Sequence, residues 1–437
     1  MNEMKIDPEE RILRCIDGEI LDRCPHMELG FNPFPTFKFS LFFDLMPKKL
    51  REWLLNLKGF ETAVQAAKEH FKLSKPIPKS WIRKAFFIDK IASSVISTPT
   101  TLDFYDNLQN LTYFMPRRLG IDLVTTWGFP SIIVRGMTTQ NGKRFIVSED
   151  YNLTDVDEVG DFRVHGTFFP DFKEQIEKLT YWIRTYDLDD RIKYLGKTHA
   201  TQKGKIAVSP TFNGIFETWH VAFGQSNMHL FFRQLMREYN KGSPYGIYKN
   251  LITEKSKLLA RYVKRLGEET EVKIVTLVED ICDDNSPFIK EDIYKNYFVP
   301  EIKRICDAAH KVGIKVLFHT DGTFRIDGTE KPYNFFDTIL STGIDMIHGC
   351  QQDVNDLSEL KRHVMDKNIT LVGGISCVNV LQLAKTAREA YKMAGKAILT
   401  LKRDGRYIIA ADNGWHSGVE IENIKWYLQA IKVYGKY

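Results

Sequence analysis

No run of 18 apolar residues occurs in this sequence, so no segment is long and apolar enough to read as a membrane-spanning helix. The opening, Met1 to Glu10, lacks the basic-then-apolar layout of a secretion signal. Cysteine is sparse. Cys15, Cys24, Cys282, Cys306, Cys350 and Cys377 are scattered, with no Cys-x-x-Cys pair, and this usage fits a reduced, cytoplasmic protein. A strong charge of one sign is also missing: 61 basic and 56 acidic residues leave +5, too mild to argue for a nucleic-acid partner. Low-complexity tracts and short-period solenoid repeats are absent.

What is present is a core-forming chain. With 437 residues, 43% of them apolar, it can bury a large core in one barrel with an extension or in two domains. Between Lys273 and Tyr437 one unit repeats. Apolar runs at Ile274–Val278, Ile314–Phe318, Ile344–Ile347, Thr370–Val372 and Tyr407–Ala411 alternate with helical stretches, as buried parallel strands in βα units do. Three earlier runs, Pro25–Leu29, Asp122–Thr125 and Ile206–Ser209, bring the strand count to eight. The expected fold is therefore α/β, a (β/α)8 TIM barrel, with residues 1–437 as one domain.

Two additions to the barrel are expected. Residues 31–115 read as an N-terminal helical extension, a cap or insertion rich in aromatics and basic at Lys48-Lys-Leu-Arg51. Ile132 to Val147 holds two β-rich runs around Gln140-Asn141-Gly142, which reads as an inserted hairpin.

The strand ends carry the chemistry. They read Glu279-Asp280, His319-Thr-Asp321-Gly322, His348-Gly-Cys350, Gly373-Gly374 and Asp412-Asn413-Gly-Trp-His416. A barrel keeps its active site at the C-terminal ends of its strands, so the pattern points to an enzyme. In an extended strand residues i and i+2 share a face, so His319 and Asp321 both reach the mouth as a metal pair or an acid–base pair. Asp280 joins them as a candidate catalytic residue, since clustered carboxylates raise one another's pKa; Asp283 and Asp284 read equally well as a solvated acidic loop. His416 and Asn413 suit either function or a turn. Cys350 is either a thiolate or inert packing. Gly373-Gly374 marks close packing, because no glycine-rich loop with a lysine follows. Thr211 to His220 is aromatic around one histidine, which describes a pocket wall for a flat ligand or ordinary core. Trp219, His220, Glu279 and Asn413 are the substrate-binding candidates.

Arg11-Ile-Leu-Arg-Cys-Ile-Asp-Gly-Glu-Ile-Leu-Asp-Arg-Cys-Pro25 resembles the opening of the uroporphyrinogen decarboxylase superfamily, which includes cobalamin-dependent methyltransferases such as methylcobalamin:coenzyme M methyltransferases. Ser286–Ile289, Tyr297–Pro300, His310–Gly322 and Gly405–Asn423 are similar to its later barrel segments. The resemblance implies the same barrel and a site at its mouth. It also implies differences. Decarboxylases hold tetrapyrrole carboxylates with arginines in a Met-Arg-Gln-Ala-Gly-Arg-like segment, where this chain reads Met27-Glu-Leu-Gly-Phe-Asn-Pro33. The decarboxylases' tyrosine falls at His220 and their late histidine near Asn413. The methyltransferase branch uses zinc held by His-x-Cys and a later cysteine, positions that fall here at His319, Asp321 and Asn413.

The resulting expectation is a corrinoid-linked methyltransferase, moving a methyl group between a small substrate and cobalamin on a separate corrinoid protein. Zinc would be held by His319 and Asp321, with His416 or Asp280 completing the set. The alternatives are a decarboxylase or lyase acting on a small carboxylated or aromatic substrate, and a noncatalytic binding protein on a retired barrel.

Overall fold

The computed structural model describes residues 6–29, 113, 116–127, 134–140, 143–148, 152–156, 162–167, 171–217, 228–241, 246–415 and 418–437. The expected cap at 31–115 lies outside the described residues, apart from position 113.

Eight strands form one parallel sheet: β1 (Met27–Glu28), β2 (Leu123–Trp127), β7 (Ala207–Asn213), β8 (Ile274–Val278), β9 (Lys315–His319), β10 (Met346–His348), β11 (Thr370–Ile375) and β12 (Tyr407–Ala411), paired in that order. The two edges meet through a parallel bridge between His26 and Ile409 and a 2.9 Å bond from the Ile409 N–H to the Pro25 carbonyl. The eight strands thus close into the expected (β/α)8 barrel. All eight expected runs are strands, with ends shifted by a few residues. The largest shift is in β7, which continues through Thr211 to Asn213.

The remaining strands, β3 (Val134–Gln140), β4 (Lys143–Ser148), β5 (Asn152–Val156) and β6 (Phe162–Thr167), make a separate antiparallel sheet. The hairpin expected around Asn141-Gly142 is its first half, with Gln140 paired to Lys143.

Helix α1 (Pro8–Ile16) shows why local sequence and packing agree. Asp7 accepts the N–H groups of Glu9 and Glu10, and Pro8 stands at the first turn, where its missing N–H costs nothing. The buried face of Ile12, Cys15 and Ile16 then packs beneath one inward side chain from each strand: Met27, Leu123, Ala207, Ile274, Leu317, Met346, Val372 and Ile408. The barrel interior is therefore a plugged core rather than a pore. The outward side chains, such as Val275, Leu277, Val316, Phe318, Ile347, Leu371 and Ile409, pack on the surrounding helices. Those helices include α5 (Ile247–Glu269), α6 (Val299–His310), α9 (Ala387–Leu401) and α10 (Ile421–Tyr434), numbered in chain order after α1, α2 (Phe172–Thr185), α3 (Asp189–Gln202) and α4 (Met228–Asn240), with α7 (Asn334–Leu340) and α8 (Leu357–Asp366) between.

Candidate active site at the barrel mouth

Strand parity selects the side chains that reach the mouth. Continuing in steps of two from the inner layer, Ile274 leads to Asp280, Leu317 to His319 and Asp321, Met346 to His348, and Ala410 to Asp412. The structure brings Asp280, His319 and Asp321 together: one ligand atom from each lies within 4.8 Å of the others. His319 Nε2 stands 3.5 Å from Asp280 Oδ1 and 3.6 Å from Asp321 Oδ1. On its other side, His319 Nδ1 is 2.8 Å from Nδ1 of His348, whose Nε2 is 2.9 Å from the Ala411 carbonyl.

Two glycines allow this approach. Gly322 follows the His-x-Asp segment at φ +88°, and a Cβ there would fall 2.5 Å from the Asp283 carbonyl oxygen. Gly349, after His348, has φ +94°, and its Cβ would fall 2.1 Å from the Thr320 carbonyl oxygen. Backbone against backbone leaves no flexible atom to yield. Gly322→Ala is expected to lose about 2–4 kcal/mol in urea unfolding, from left-handed strain plus the clash. A loss below half a kilocalorie would refute this account.

Burial sets the electrostatics. It holds the His319 imidazole neutral, depressing its pKa to about 3, and lowers that of His348 further below the usual range with help from its neighbour. The Asp321 carboxyl is raised well above its ordinary range, first by burial and then by the Asp280 and Asp412 charges. Its Oδ1 is buried without a hydrogen-bond partner among the described residues, while its Oδ2 accepts from Asn413 Nδ2 at 2.5 Å. Asn413 therefore does reach the site, presenting a donor to a carboxylate.

Sequence reasoning passed over His348 and Asp412 as functional candidates. Both were visible as the polar residues closing β10 and β12, beside Cys350 and Asn413, which drew attention instead. Asp412 is 2% exposed, with Oδ1 bound to the Cys377 N–H at 2.9 Å and Oδ2 buried without a partner among the described residues. Burial pushes its pKa up to about 7. Asp412 and Asp321 thus bind protons more tightly folded than unfolded. The stability this confers is complete below about pH 4 and is lost as pH rises through 7. In the presence of chelator, the stability of the native protein relative to Asp412→Asn should fall between pH 5 and pH 7 by about 2–3 kcal/mol, a comparison that cancels the opposite pH dependence of the buried, neutral His319 and His348. A difference that grows across this window would contradict the assignment.

The other candidates fall elsewhere. Glu279 has the opposite parity from Asp280 and is fully enclosed, with its oxygens accepting the N–H groups of Ile215 at 2.9 Å and Phe216 at 2.6 Å. The structure does not bring it to the mouth. Burial still raises its pKa to about 8, against the opposing pull of those N–H groups. Asp283 ties its own loop, accepting from Asn285 and Ser286 N–H groups, and Asp284 is exposed. Cys350 is fully buried and burial keeps its thiol protonated. Gly374 packs against Leu401, as close packing requires. Trp219, His220 and His416 lie outside the described residues.

A profile of the family described as uroporphyrinogen decarboxylase matches residues 206–434, a little over half of the 437 residues. No curated protein matches the chain. Among solved structures, a methyltransferase from Methanosarcina mazei aligns at a TM-score of 0.57 and 10% identity, covering 98% of this chain and 99% of that one. A xylanase from Gloeophyllum trabeum aligns at 0.36 and 11% identity over 57% of this chain and 81% of that one. At 10% identity the likeness to the methyltransferase is one of fold. No described helix is long and apolar enough to cross a membrane.

Proposed function

The chain belongs to the uroporphyrinogen decarboxylase family, and from that premise we propose that it is a methyltransferase of the corrinoid-linked kind. It would move a methyl group between a small substrate and cobalamin carried by a partner protein. The observation that carries this reading is the convergence of Asp280, His319 and Asp321 at the mouth of a barrel whose architecture is shared, end to end, with a methyltransferase.

Three donors within 4.8 Å of one another and an orphaned buried carboxylate oxygen on Asp321 fit a divalent metal ion. Asp280, His319 and Asp321 would hold it, and zinc suits one imidazole with two carboxylates, although less tightly than thiolates would. When bound, such an ion lowers the pKa of an acceptor thiol or water. The chain's own residues do the rest. Asn413 holds one oxygen of Asp321 and leaves the other facing His319. The burial that keeps His319 neutral also keeps its nitrogen available as a ligand or base.

Protein purified without added metal is expected to contain about one zinc per chain, and His319→Ala none. Elemental analysis of both proteins decides; an active native enzyme free of metal would leave acid–base chemistry alone. Incubation with methylcobalamin and thiol acceptors tests the reaction class, and a cobalt-methyl difference spectrum is the expected result. The proton-retaining Asp321 beside His319 favours one second reading, a carboxy-lyase on a small carboxylated substrate. Carbon dioxide release with no spectral change would select it.

A further inference from the structure

We propose that His348 is a positioning residue that fixes the tautomer of His319, so that the lone pair of His319 Nε2 is presented to Asp280 and Asp321. Its geometry stands alone; its consequence for metal affinity rests on the metal-holding reading given above.

The argument begins at a group that can only accept. The Ala411 carbonyl lies 2.9 Å from His348 Nε2, so that nitrogen carries the hydrogen. A neutral imidazole has a single N–H, and both rings are enclosed, at 0% exposure for His348 and 3% for His319. Nδ1 of His348 is then an acceptor, and the 2.8 Å contact requires His319 Nδ1–H to donate to it. His319 Nε2 is left bare. The distances on that side agree: 3.5 and 3.6 Å to the two carboxylate oxygens are longer than a charge-assisted N–H···O bond, which closes to about 2.7–2.9 Å.

The relay is built from backbone. His348 and His319 are register partners on β10 and β9, which holds the two rings side by side. The accepting carbonyl belongs to the end of β12, itself laddered to β11 through the Ile375–Ala411 pair. Unconstrained, His319 could turn an Nε2–H toward the carboxylates and would then have no lone pair to offer a metal ion. A residue that is not one of the three donors would thereby decide whether the site can be filled.

Two variants test this. His348→Leu fills the space without an acceptor, whereas His348→Asn keeps an acceptor oxygen near the place of Nδ1. In long-range ¹⁵N–¹H spectra of the metal-free protein, with His319 assigned by its own substitution, the native protein and His348→Asn should show the Nδ1–H tautomer. His348→Leu should shift toward Nε2–H. An Nε2–H tautomer in the native protein, or an unchanged one in His348→Leu, overturns the proposal. Zinc affinity, measured by chelator competition, should fall about 10–100-fold in His348→Leu and stay within about threefold in His348→Asn. Equal affinities in all three proteins would overturn the positioning role. Absence of zinc binding in the native protein would instead remove the metal reading and leave the spectra to decide the tautomer.

Discussion

Replacing His319 by alanine is expected to lower kcat/KM by about a hundred- to ten-thousand-fold while the protein remains folded, and Asp321→Ala should do the same. His319 is the last ladder residue of β9 and Asp321 lies two residues beyond it, so neither belongs to the apolar layer that packs on α1. His319 faces His348 on one side and Asp280 and Asp321 on the other. Removing it deletes the imidazole that stands between the two carboxylates as base or ligand. Asp321→Asn separates the two roles of its neighbour. It keeps the shape and a hydrogen bond with Asn413 but cannot ligate as an anion, so activity should fall nearly as far as with alanine. Steady-state kinetics together with urea unfolding of each variant checks this. Near-native turnover in His319→Ala, or collapse of the fold, would remove the site from this position.

The largest effect on stability is expected at Glu279. Glu279→Ala should cost about 3–5 kcal/mol, because two enclosed backbone N–H groups lose their acceptor and a cavity is left. Those N–H groups, of Ile215 and Phe216, begin the short helical turn after β7. Gly214 beside them has no room for even a methyl group, since its Cβ would fall 2.2 Å from the Glu279 carboxyl carbon. Glu279→Gln keeps one acceptor and should lose about half as much, with KM unchanged. The sequence reading assigned Glu279 to substrate binding, and that role makes the opposite prediction: full stability in Glu279→Gln with a raised KM.

Glu279 and Asp280 show where sequence stops deciding. Ile274 to Val278 is a strand buried on both faces, with apolar residues at inward and outward positions alike, and Thr276 alone does not make an alternation that marks them. Which of two adjacent carboxylates enters the mouth depends on the register of β8 between β7 and β9, a property of closure. The same holds for His348. Its sequence neighbours gave it no partner. Its contacts, His319 and the Ala411 carbonyl, come from strands 29 and 63 positions away. Asn413 shows a further limit, because its hydrogen bond to Asp321 spans 92 positions.

By itself the sequence determined the eight strands, their parallel order of βα units, the enzyme-like mouth and the His319–Asp321 pair, because hydrophobic runs, glycine punctuation and i, i+2 spacing are local properties. It also carried the resemblance to the family now matched over residues 206–434. Only the tertiary structure decided that Asp280 faces inward and Glu279 outward, that Asp412 is buried with one oxygen lacking a partner among the described residues, and that His348 stands behind His319. Closing the barrel fixes the rotation of every strand at once, and that rotation is what turns a list of polar strand ends into a site.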